Sequence, residues 1–331
     1  MSEVAEGGIL IIAPESDIHA QAVAHVLRLQ LNTPALIWDN ERLPANDPAV
    51  FRLGVNNPSF LIKTPDNSIV VDSLRSVWWR RPSRFRISDA VSDSQVRAFC
   101  LKECDAFFRG ALAALDVPIV NNPDAEVAAR KPVQLQMARK LDLTIPETVM
   151  SCDPQEIRTF WERLGGRCIY KVFTPPHWQV AETRLLTEDD LGDLEMLQHA
   201  PIIVQEKIEK LRDVRVTIFG ETVFAASVRV NLPQAELDWR LDLTASWETH
   251  DIPEDLGRKL ISLLRSLGLQ YGCIDLRQRP DGSYVFLEIN PAGQFLFVEI
   301  DTGQPLTRAC AELLLQPRFA LPRLHHSSAL T

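Results

Sequence analysis

Near the carboxyl-terminal end of the chain, two runs of mostly apolar residues flank the turn Pro280-Asp-Gly-Ser283. These turn residues favour chain reversal, so the runs are predicted to form a β-hairpin. With the turn as the loop, Arg279 pairs with Tyr284, and Asp275 lies opposite Glu288 to within one residue. Alternation in the second run predicts two faces, one with Tyr284, Phe286, Glu288 and Asn290 and the other with Val285, Leu287 and Ile289.

The rest of the chain alternates between strand-like and helix-like patterns. A strand at 8–13, a helix at 17–31 and a strand at 35–38 form a βαβ unit, which implies a parallel sheet. Further strands are expected at 60–63, 68–71, 77–82, 117–123, 143–150, 169–173, 202–205, 214–219 and 222–230. Further helices are expected at 94–115, 124–142, 153–164, 187–198, 254–267 and 304–315. In the helix at 124–142 the packed side is predicted to carry Val127, Leu135, Met137, Ala138 and Leu141.

Composition narrows the class of protein. A hydrophobic content of 46% and a charged content of 24% are typical of an ordinary soluble globular protein, and a length of 331 residues suggests two or three units with substantial cores. The net charge of −9 argues against a nucleic-acid binder, which needs a basic face. The six cysteines form no Cys-x-x-Cys pair, and Cys100 and Cys104 are predicted to be small buried thiols on a helix. With no signal peptide or long apolar span, we expect a cytoplasmic location and no membrane partner.

The predicted hairpin gathers two carboxylates and an amide oxygen from Asp275, Glu288 and Asn290. Oxygen-only ligands of this kind suit Mg²⁺, which is usually shared with nucleotide phosphates. The alternative is a surface hairpin with solvated acids, which the apolar sequence Leu-Glu-Ile-Asn-Pro disfavours. No Gly-x-Gly-x-x-Gly follows the first strand, so a dinucleotide or Walker-type phosphate loop is not expected there.

At these residues the chain resembles the ATP-grasp ligases, whose metal site is an Asp on one strand and a Glu-x-Asn on the next. It is more narrowly similar to the maturases of graspetides (microviridin-type, omega-ester-containing peptides), through Val77-Trp-Trp-Arg-Arg-Pro82, Asp213-Val-Arg215, Asp238-Trp-Arg240 and the segment from Asn290 to Glu299. The resemblance implies an ATP-grasp fold with an amino-terminal pre-ATP-grasp domain (1–123), a small α/β lid (124–208), a carboxyl-terminal domain with the metal site (209–324) and a tail (325–331).

The resemblance also implies roles for residues in the middle of the chain. Lys131 and Lys171 match the lysines that reach the nucleotide, although Lys131 alone would be interpreted as a surface charge. The adenine hinge is matched by Gln205, Glu206, Lys207 and Ile208, a stretch that a plain buried strand would also explain. Asp213 and Arg215 share a strand face, where they form either a salt bridge or a contact to ribose and phosphate. Arg215 and Arg240 are expected to act in catalysis on the transferring phosphoryl group.

Two segments bear on the substrate. Where many relatives have a glycine-bearing lid loop, this chain has Thr174-Pro-Pro-His-Trp-Gln-Val-Ala181, so His177 and Trp178 are candidates for shielding the phosphates or contacting substrate. His177 could also act in acid–base chemistry, but a histidine in a loop is more often structural or exposed to solvent. In Trp-Trp-Arg80-Arg81, one indole is expected on each side of the strand, and the arginines are either solvated or directed into a cleft to hold a substrate carboxylate.

These assignments lead to three hypotheses of function. The first is a peptide maturase that uses ATP and Mg²⁺ to activate a carboxylate as an acyl-phosphate and closes side-chain esters or amides on a ribosomal precursor peptide. The second is a ligase for free amino acids, or one that adds glutamate to a peptide or protein terminus. The third is a nucleotide-binding module without catalysis, which the intact Asp-Glu-Asn set argues against. The resemblance implies a homodimer.

Overall fold

Strands and helices of the chain form a mixed α/β fold, as the sequence predicts. The protein is described from a computed structural model, which covers residues 7–54, 57–174, 183–232, 235–242 and 244–317. The strands are β1 Ile9–Ile12, β2 Ala35–Trp38, β3 Ala49–Arg52, β4 Ser59–Lys63, β5 Ser68–Val70, β6 Ser76–Trp79, β7 Ile119–Val120, β8 Thr148–Ser151, β9 Cys168–Lys171, β10 Arg184–Leu185, β11 Ile202–Glu206, β12 Arg212–Phe219, β13 Thr222–Arg229, β14 Ser246–Thr249, β15 Tyr271–Gln278 and β16 Tyr284–Asn290. The helices are α1 Ile18–Leu29, α2 Ser94–Ala113, α3 Pro123–Ala128, α4 Lys131–Lys140, α5 Pro154–Arg163, α6 Glu254–Ser266, α7 Leu296–Thr302 and α8 Leu306–Leu315.

The amino-terminal sheet is parallel and has the order β2-β1-β6-β7, which confirms the predicted βαβ unit. Its central strand β1 is apolar and fully buried, as expected for a strand covered on both faces. Helix α1 begins after Asp17, whose carboxylate accepts a hydrogen bond from the Ala20 N–H at 2.8 Å. This sheet supports the arginines that follow β6.

A smaller antiparallel sheet, β3-β4-β5, lies beside it, and the sequence predicted only two of its strands. The two tryptophans of β6 face opposite sides, as predicted: Trp78 packs in one hydrophobic core and Trp79 in another. Cys100 and Cys104 on α2 are partly exposed, so the prediction that they are buried was wrong. Both precede Phe108, which is the first buried residue of α2.

The central sheet is antiparallel with the order β10-β9-β11-β8. The predicted helix at 124–142 is two helices, α3 and α4, because Pro132 lies in the first turn of α4, where a proline starts a helix and does not continue one. The break changes the phase of the helical pattern, and Val127 is 48% exposed, not packed as predicted. Leu135 and Ala138 are buried, as predicted.

The carboxyl-terminal sheet is antiparallel with the order β14-β13-β12-β15-β16, and β15 and β16 form the predicted hairpin. Gln278, not Arg279, pairs with Tyr284, and a register shift after Asp275 restores the predicted pairing of Asp275 with Glu288. The shift is a β-bulge, which adds one residue to one strand. As a result Phe286 and Ile289 pack in the same core, so the prediction that Phe286 shares a face with Glu288 was wrong.

The largest hydrophobic core joins the two ends of the chain. It contains Ile9 and Val23 from the amino-terminal sheet and its helix, together with Tyr271, Phe295 and Leu314 from the carboxyl-terminal region. Each sheet draws its strands from one predicted domain, but this shared core crosses the boundary at residue 123, so the domain limits stay a prediction. Within the described residues, no helix is long and apolar enough to span a membrane.

Candidate active site

The hairpin β15–β16 brings two carboxylates to the edge of a deep cleft. Asp275 and Glu288 are direct cross-strand partners, with side chains 26% and 31% exposed. Asn290 follows two residues later on the same strand, and its side-chain oxygen accepts the N–H of Ala292 at 3.1 Å. All three line a cleft cavity of about 400 Å³. The structure therefore brings together the three predicted metal ligands.

Cations from three other elements surround these carboxylates. Lys131, at the start of α4, lies 3.2 Å from a Glu288 carboxylate oxygen, and Arg215 on β12 lies 2.8 Å from an Asp275 oxygen. Lys171, the last residue of β9, lines the same cavity and forms no ion pair with any described residue. Since each lysine is on a different element, the cleft holds a converging set of cations opposite two acids.

Burial sets the protonation preferences of this cluster. Burial raises the pKa of Asp275, Arg215 opposes this shift, and the charge of Glu288 adds to it, so the pKa of Asp275 is raised overall. Burial also acts to raise the pKa of Glu288, but Lys171 and Lys131 outweigh it, and that pKa is lowered. The pKa of Lys171 is lowered, chiefly by burial. Two neighbouring carboxylates in a low-dielectric cleft favour a further cation between them.

Arg240 lines the cleft from the segment between β13 and β14. Its Nε donates to Asp238 at 2.7 Å, and a second nitrogen of the same guanidinium also donates to that carboxylate. This side-chain hydrogen bonding, opposed by burial, raises the pKa of Arg240. The pairing holds the guanidinium in the cleft, where the sequence predicted a catalytic residue.

Asp213 forms no salt bridge with Arg215, so that one of the two alternatives was wrong, while a contact to ribose and phosphate stays a prediction. Asp213 accepts hydrogen bonds from Lys210 at 2.6 Å and from Arg277 at 2.8 Å, since β15 places Arg277 directly opposite it. Arg277 also donates to the carbonyl oxygen of Leu237 at 3.3 Å. Asp213 lines the cavity, but its carboxylate is engaged in fixing the segment that carries Arg240.

The cavity gathers most of the predicted site residues. Those that line it are Arg81, Lys131, Lys171, Asp213, Arg215, Arg240, Asp275, Glu288 and Asn290. The predicted hinge residues Gln205, Glu206, Lys207 and Ile208 are not among its lining residues. His177 and Trp178 lie outside the described residues.

The hinge segment follows β11 and has its own hydrogen bonds. Gln205 is buried and donates to the Thr148 hydroxyl at 2.9 Å. The N–H groups of Glu206 and Lys207 donate to the carbonyl oxygens of Glu147 and Arg167, each at 2.9 Å. An adenine edge would therefore meet other backbone groups than these two N–H groups, and the assignment of this segment stays a prediction.

The loop that follows Asn290 is held by Arg80, which the sequence had assigned to substrate. The Arg80 side chain is fully buried, and one of its nitrogens donates to the carbonyl oxygens of Ala292 and Gly293 at 2.8 and 3.0 Å. Its Nε lies 3.5 Å from the Asp17 carboxylate. Arg80 therefore does not reach the cleft, because the carboxyl-terminal loop covers that side of β6.

Two more amino-terminal side chains hold the same loop. Asn121 donates to the carbonyl oxygen of Pro291 at 3.0 Å. His19 accepts the N–H groups of Phe295 and Leu296 at 3.0 and 3.2 Å. Burial lowers the pKa of His19 to about 4, so the ring is neutral and its Nε2 can act as an acceptor.

The loop in turn fixes Arg215. A second nitrogen of that guanidinium donates to the carbonyl oxygen of Gln294 at 3.1 Å. Gly293 packs so closely that a Cβ there would lie 2.4 Å from the Cβ of Cys273 and 3.0 Å from the Arg215 guanidinium. Only glycine allows this approach, so the loop forms the back wall of the site.

Three residues that support the site, His19, Asn121 and Arg277, were not predicted from the sequence, because each contacts residues far from it in the chain. An aromatic group that lines the cleft beside Arg215 was not predicted either; it is formed by Trp239, Trp247 and Phe297. The pattern Asp238-Trp-Arg240 contained the first of these, but only the arginine was given a role.

The donor set fits Mg²⁺. Two carboxylates and an amide oxygen are hard ligands for such an ion. The described residues hold no cluster of three or more His, Cys, Asp and Glu side chains able to bind a metal. A divalent ion would therefore need further oxygen ligands, which the phosphates of a nucleotide supply. The nearby cations Lys131, Lys171 and Arg215 fit the charge of those phosphates.

Comparison with solved structures found close matches over almost the whole chain. The macrocyclase MdnC of Microcystis aeruginosa, bound with its precursor peptide MdnA, is 30% identical, with a TM-score of 0.82 over 93% of this chain and 99% of that one. A RiPP-associated ATP-grasp ligase of Chryseobacterium gregarium, in complex with ADP and a leader and core peptide, is 24% identical, with a TM-score of 0.84 over 93% and 96%. A RimK domain ATP-grasp protein of Sphaerobacter thermophilus is 13% identical, with a TM-score of 0.58 over 93% and 100%. No family model and no curated protein matched the sequence.

Proposed function

This chain belongs to the ATP-grasp ligases, in the family of peptide macrocyclases to which MdnC belongs, and we propose that it forms side-chain ester or amide crosslinks in a ribosomal precursor peptide. The resemblance inferred from the sequence is thereby confirmed. The protein is an ATP-dependent ligase. The observation that carries the proposal is the cross-strand pair Asp275–Glu288 at the edge of a cleft that also holds Lys131, Lys171 and Arg215.

We infer that Asp275, Glu288 and Asn290 hold Mg²⁺, and that Lys131 and Lys171 bind the ATP phosphates. When bound, Mg²⁺ would neutralise phosphate charge and orient the triphosphate. Lys171 suits the phosphates because it is half-buried and without an ion-pair partner in the described chain. Lys131 would exchange its contact with Glu288 for a phosphate oxygen. The hinge at 205–208 remains the proposed adenine site.

The chemistry follows from where Arg215 and Arg240 lie. A substrate carboxylate attacks the γ-phosphorus of ATP, the bond from this phosphorus to the bridging oxygen breaks, and ADP leaves as the acyl-phosphate forms. The two guanidinium groups stabilise the charge that develops on the oxygens of the transferred group. A hydroxyl or amine of the same peptide then attacks the acyl carbon. The new C–O or C–N bond forms, phosphate leaves with one oxygen of the original carboxylate, and the proton of the nucleophile passes to solvent.

The substrate is proposed to be an acidic peptide, and Arg81 is its proposed carboxylate contact. Arg81 follows the buried Arg80 but lines the cleft, and it forms no ion pair with a described residue. Burial, with the neighbouring charge of Arg80, lowers its pKa, which marks a site that favours an incoming anion. A homodimer in the cytoplasm is the proposed setting, and α2 exposes Val96 and Phe99 as one surface for self-association.

The test is to incubate the protein with ATP, Mg²⁺ and the peptide encoded beside its gene, selected for a core rich in Thr, Ser, Lys, Asp and Glu. We expect each crosslink to appear in mass spectrometry as the loss of one water from the peptide. ATP turnover with free amino acids, without dehydration of the peptide, would instead indicate a ligase for small substrates. Absence of ATP turnover with any of these substrates would contradict a ligase. Size-exclusion chromatography with light scattering tests the homodimer.

A further inference from the structure

An aromatic group forms one side of the cleft next to the arginines. Trp239 precedes Arg240, Trp247 lies on β14, and Phe297 lies on α7. The ring centroids of Trp239 and Trp247 are 5.0 Å apart, and both rings contact Phe297, at 5.6 and 5.4 Å. All three residues line the cavity. We call Trp239, Trp247 and Phe297 the aromatic wall.

The aromatic wall borders the place where the phosphoryl group would be transferred. The guanidinium carbon of Arg215 lies 5.8 Å from the centre of the Phe297 ring, while the same side chain binds Asp275. Arg240 follows Trp239 directly and lines the same cavity. A reactive acyl group held by these arginines would therefore have rings, not water, on one side.

Within the wall, the residues differ in exposure. Trp247 is buried, whereas Trp239 and Phe297 are only partly buried. The indole N–H of Trp239 donates to no other residue in the described part of the chain. A tryptophan that becomes buried usually gains a hydrogen-bond partner. An extended peptide bound here would offer a carbonyl oxygen that accepts the indole N–H of Trp239 and apolar surface that covers its ring.

We propose that Trp239, supported by Phe297, packs against the peptide segment that carries the nucleophile and decides whether the acyl-phosphate is captured by that nucleophile or by water. This inference rests on the proposed function. In the productive route the hydroxyl or amine attacks the acyl carbon and phosphate leaves. In the wasteful route water attacks the same carbon, phosphate leaves, and the original carboxylate is restored. Excluding water from a reactive intermediate is the general role of such closed, apolar surfaces.

The test compares two quantities in one reaction, the ADP formed and the water lost from the peptide encoded beside the gene. For the wild type we expect a ratio of about one, because each bond uses one ATP. For Trp239→Leu we expect the ratio to rise about ten-fold, with the KM for ATP changed by less than about two-fold. Trp239→Phe keeps an aromatic ring and is expected to restore most of the coupling.

The matched control is Trp161→Leu. Trp161 is also a partly buried tryptophan, but it lies on α5, its indole N–H donates to the carbonyl oxygen of Leu186 at 2.9 Å, and it does not line the cavity. Its substitution should leave the ratio unchanged. A wild-type ratio in Trp239→Leu would overturn the inference while leaving the proposed function intact. A wild type that never dehydrates the peptide would overturn both.

Discussion

The hairpin β15–β16 and the loop that follows it meet at Asn290, yet they are built in opposite ways. The hairpin is local: Asp275 and Glu288 face each other because a tight turn and strand alternation place them there. The loop at 291–296 is held by side chains from the other end of the chain, among them Arg80, 212 residues away from the Ala292 carbonyl that it binds. The carboxylates of the site thus come from one short segment, whereas the side chains that hold the adjoining loop come from distant parts of the chain.

The type of a residue therefore does not reveal its role at such a site. Arg80 and Arg81 are adjacent and identical, but one is fully buried under the loop and the other lines the cleft. Changes to the hairpin carboxylates should therefore reduce activity directly. Changes to the side chains that hold the loop, such as Arg80, should lower the stability of the fold and displace the loop. The two regions can be separated by measuring activity and stability independently.

The largest effect is expected from Glu288→Gln in the hairpin. Loss of one carboxylate removes a proposed Mg²⁺ ligand and the partner of Lys131, so peptide dehydration should fall about 10³-fold. The melting temperature should change little, because Glu288 is 31% exposed to the cleft. Asp281→Asn, in the exposed turn of the same hairpin, is the matched control and should keep full activity. Normal activity in Glu288→Gln would mean that the hairpin is not the metal site.

The second largest effect, a loss of stability, is expected from Arg80→Leu, which removes a side chain that holds the loop at 291–296. The variant leaves the Ala292 carbonyl oxygen without a donor and Asp17 without its cation, and the Gly293 carbonyl oxygen keeps only its hydrogen bond from the Tyr271 hydroxyl. The free energy of unfolding should therefore fall by about 4 kcal/mol. Urea denaturation measures it. Arg75→Leu is the control, since Arg75 is exposed and its two hydrogen bonds to backbone carbonyls are long, at 3.4 Å. Equal losses in both variants would contradict a specific support by Arg80.

A smaller effect concerns the pH dependence of stability through His19. Its folded-state pKa of about 4 lies below the ordinary 6.5, so the unfolded chain binds more protons between these values. The stabilisation is complete above pH 6.5 and is lost as the pH falls towards 4. Over this window the wild type should lose about 3 kcal/mol more than His19→Asn. Parallel pH profiles of the two proteins would show that His19 does not hold the loop.

The smallest effect is expected from Arg81→Leu, which tests whether Arg81 differs in role from its neighbour Arg80. Arg81→Leu should leave the free energy of unfolding within about 0.5 kcal/mol of the wild type, because the side chain has no ion-pair partner among the described residues. The KM for the peptide should rise about ten-fold, since a carboxylate contact is lost. An unchanged KM would remove Arg81 from the substrate site.

Features of the fold that depend on residues close together in the chain could be predicted from the sequence, whereas those that depend on distant residues could not. The hairpin, the βαβ unit and the pairing of Asp275 with Glu288 were predictable, since period-two patterns and turn residues are local. The bulge that moves Phe286 into the core was not, because Phe286 and Leu287 are both apolar and either satisfies the pattern. Pro132 marked the helix break, but the exposure of Val127 depends on how α3 packs.

The roles of the site residues were harder to predict. Asp213 was expected beside Arg215, but cross-strand pairing gives it Arg277 and leaves Arg215 to Asp275. Strand alternation separates Arg80 from Arg81 without telling which of them faces the cleft. That depends on the position of a loop from the far end of the chain, which no local pattern contains.

If a side-chain carboxylate is activated as an acyl-phosphate at this hairpin, one of its oxygens leaves with the phosphate, and oxygen-18 labelling follows that oxygen. The peptide is prepared with oxygen-18 in its carboxylates and incubated with the wild-type protein, ATP and Mg²⁺. We expect each crosslink to release one phosphate that carries one heavy oxygen, detected by mass spectrometry. Crosslinked peptide accompanied only by unlabelled phosphate would contradict it.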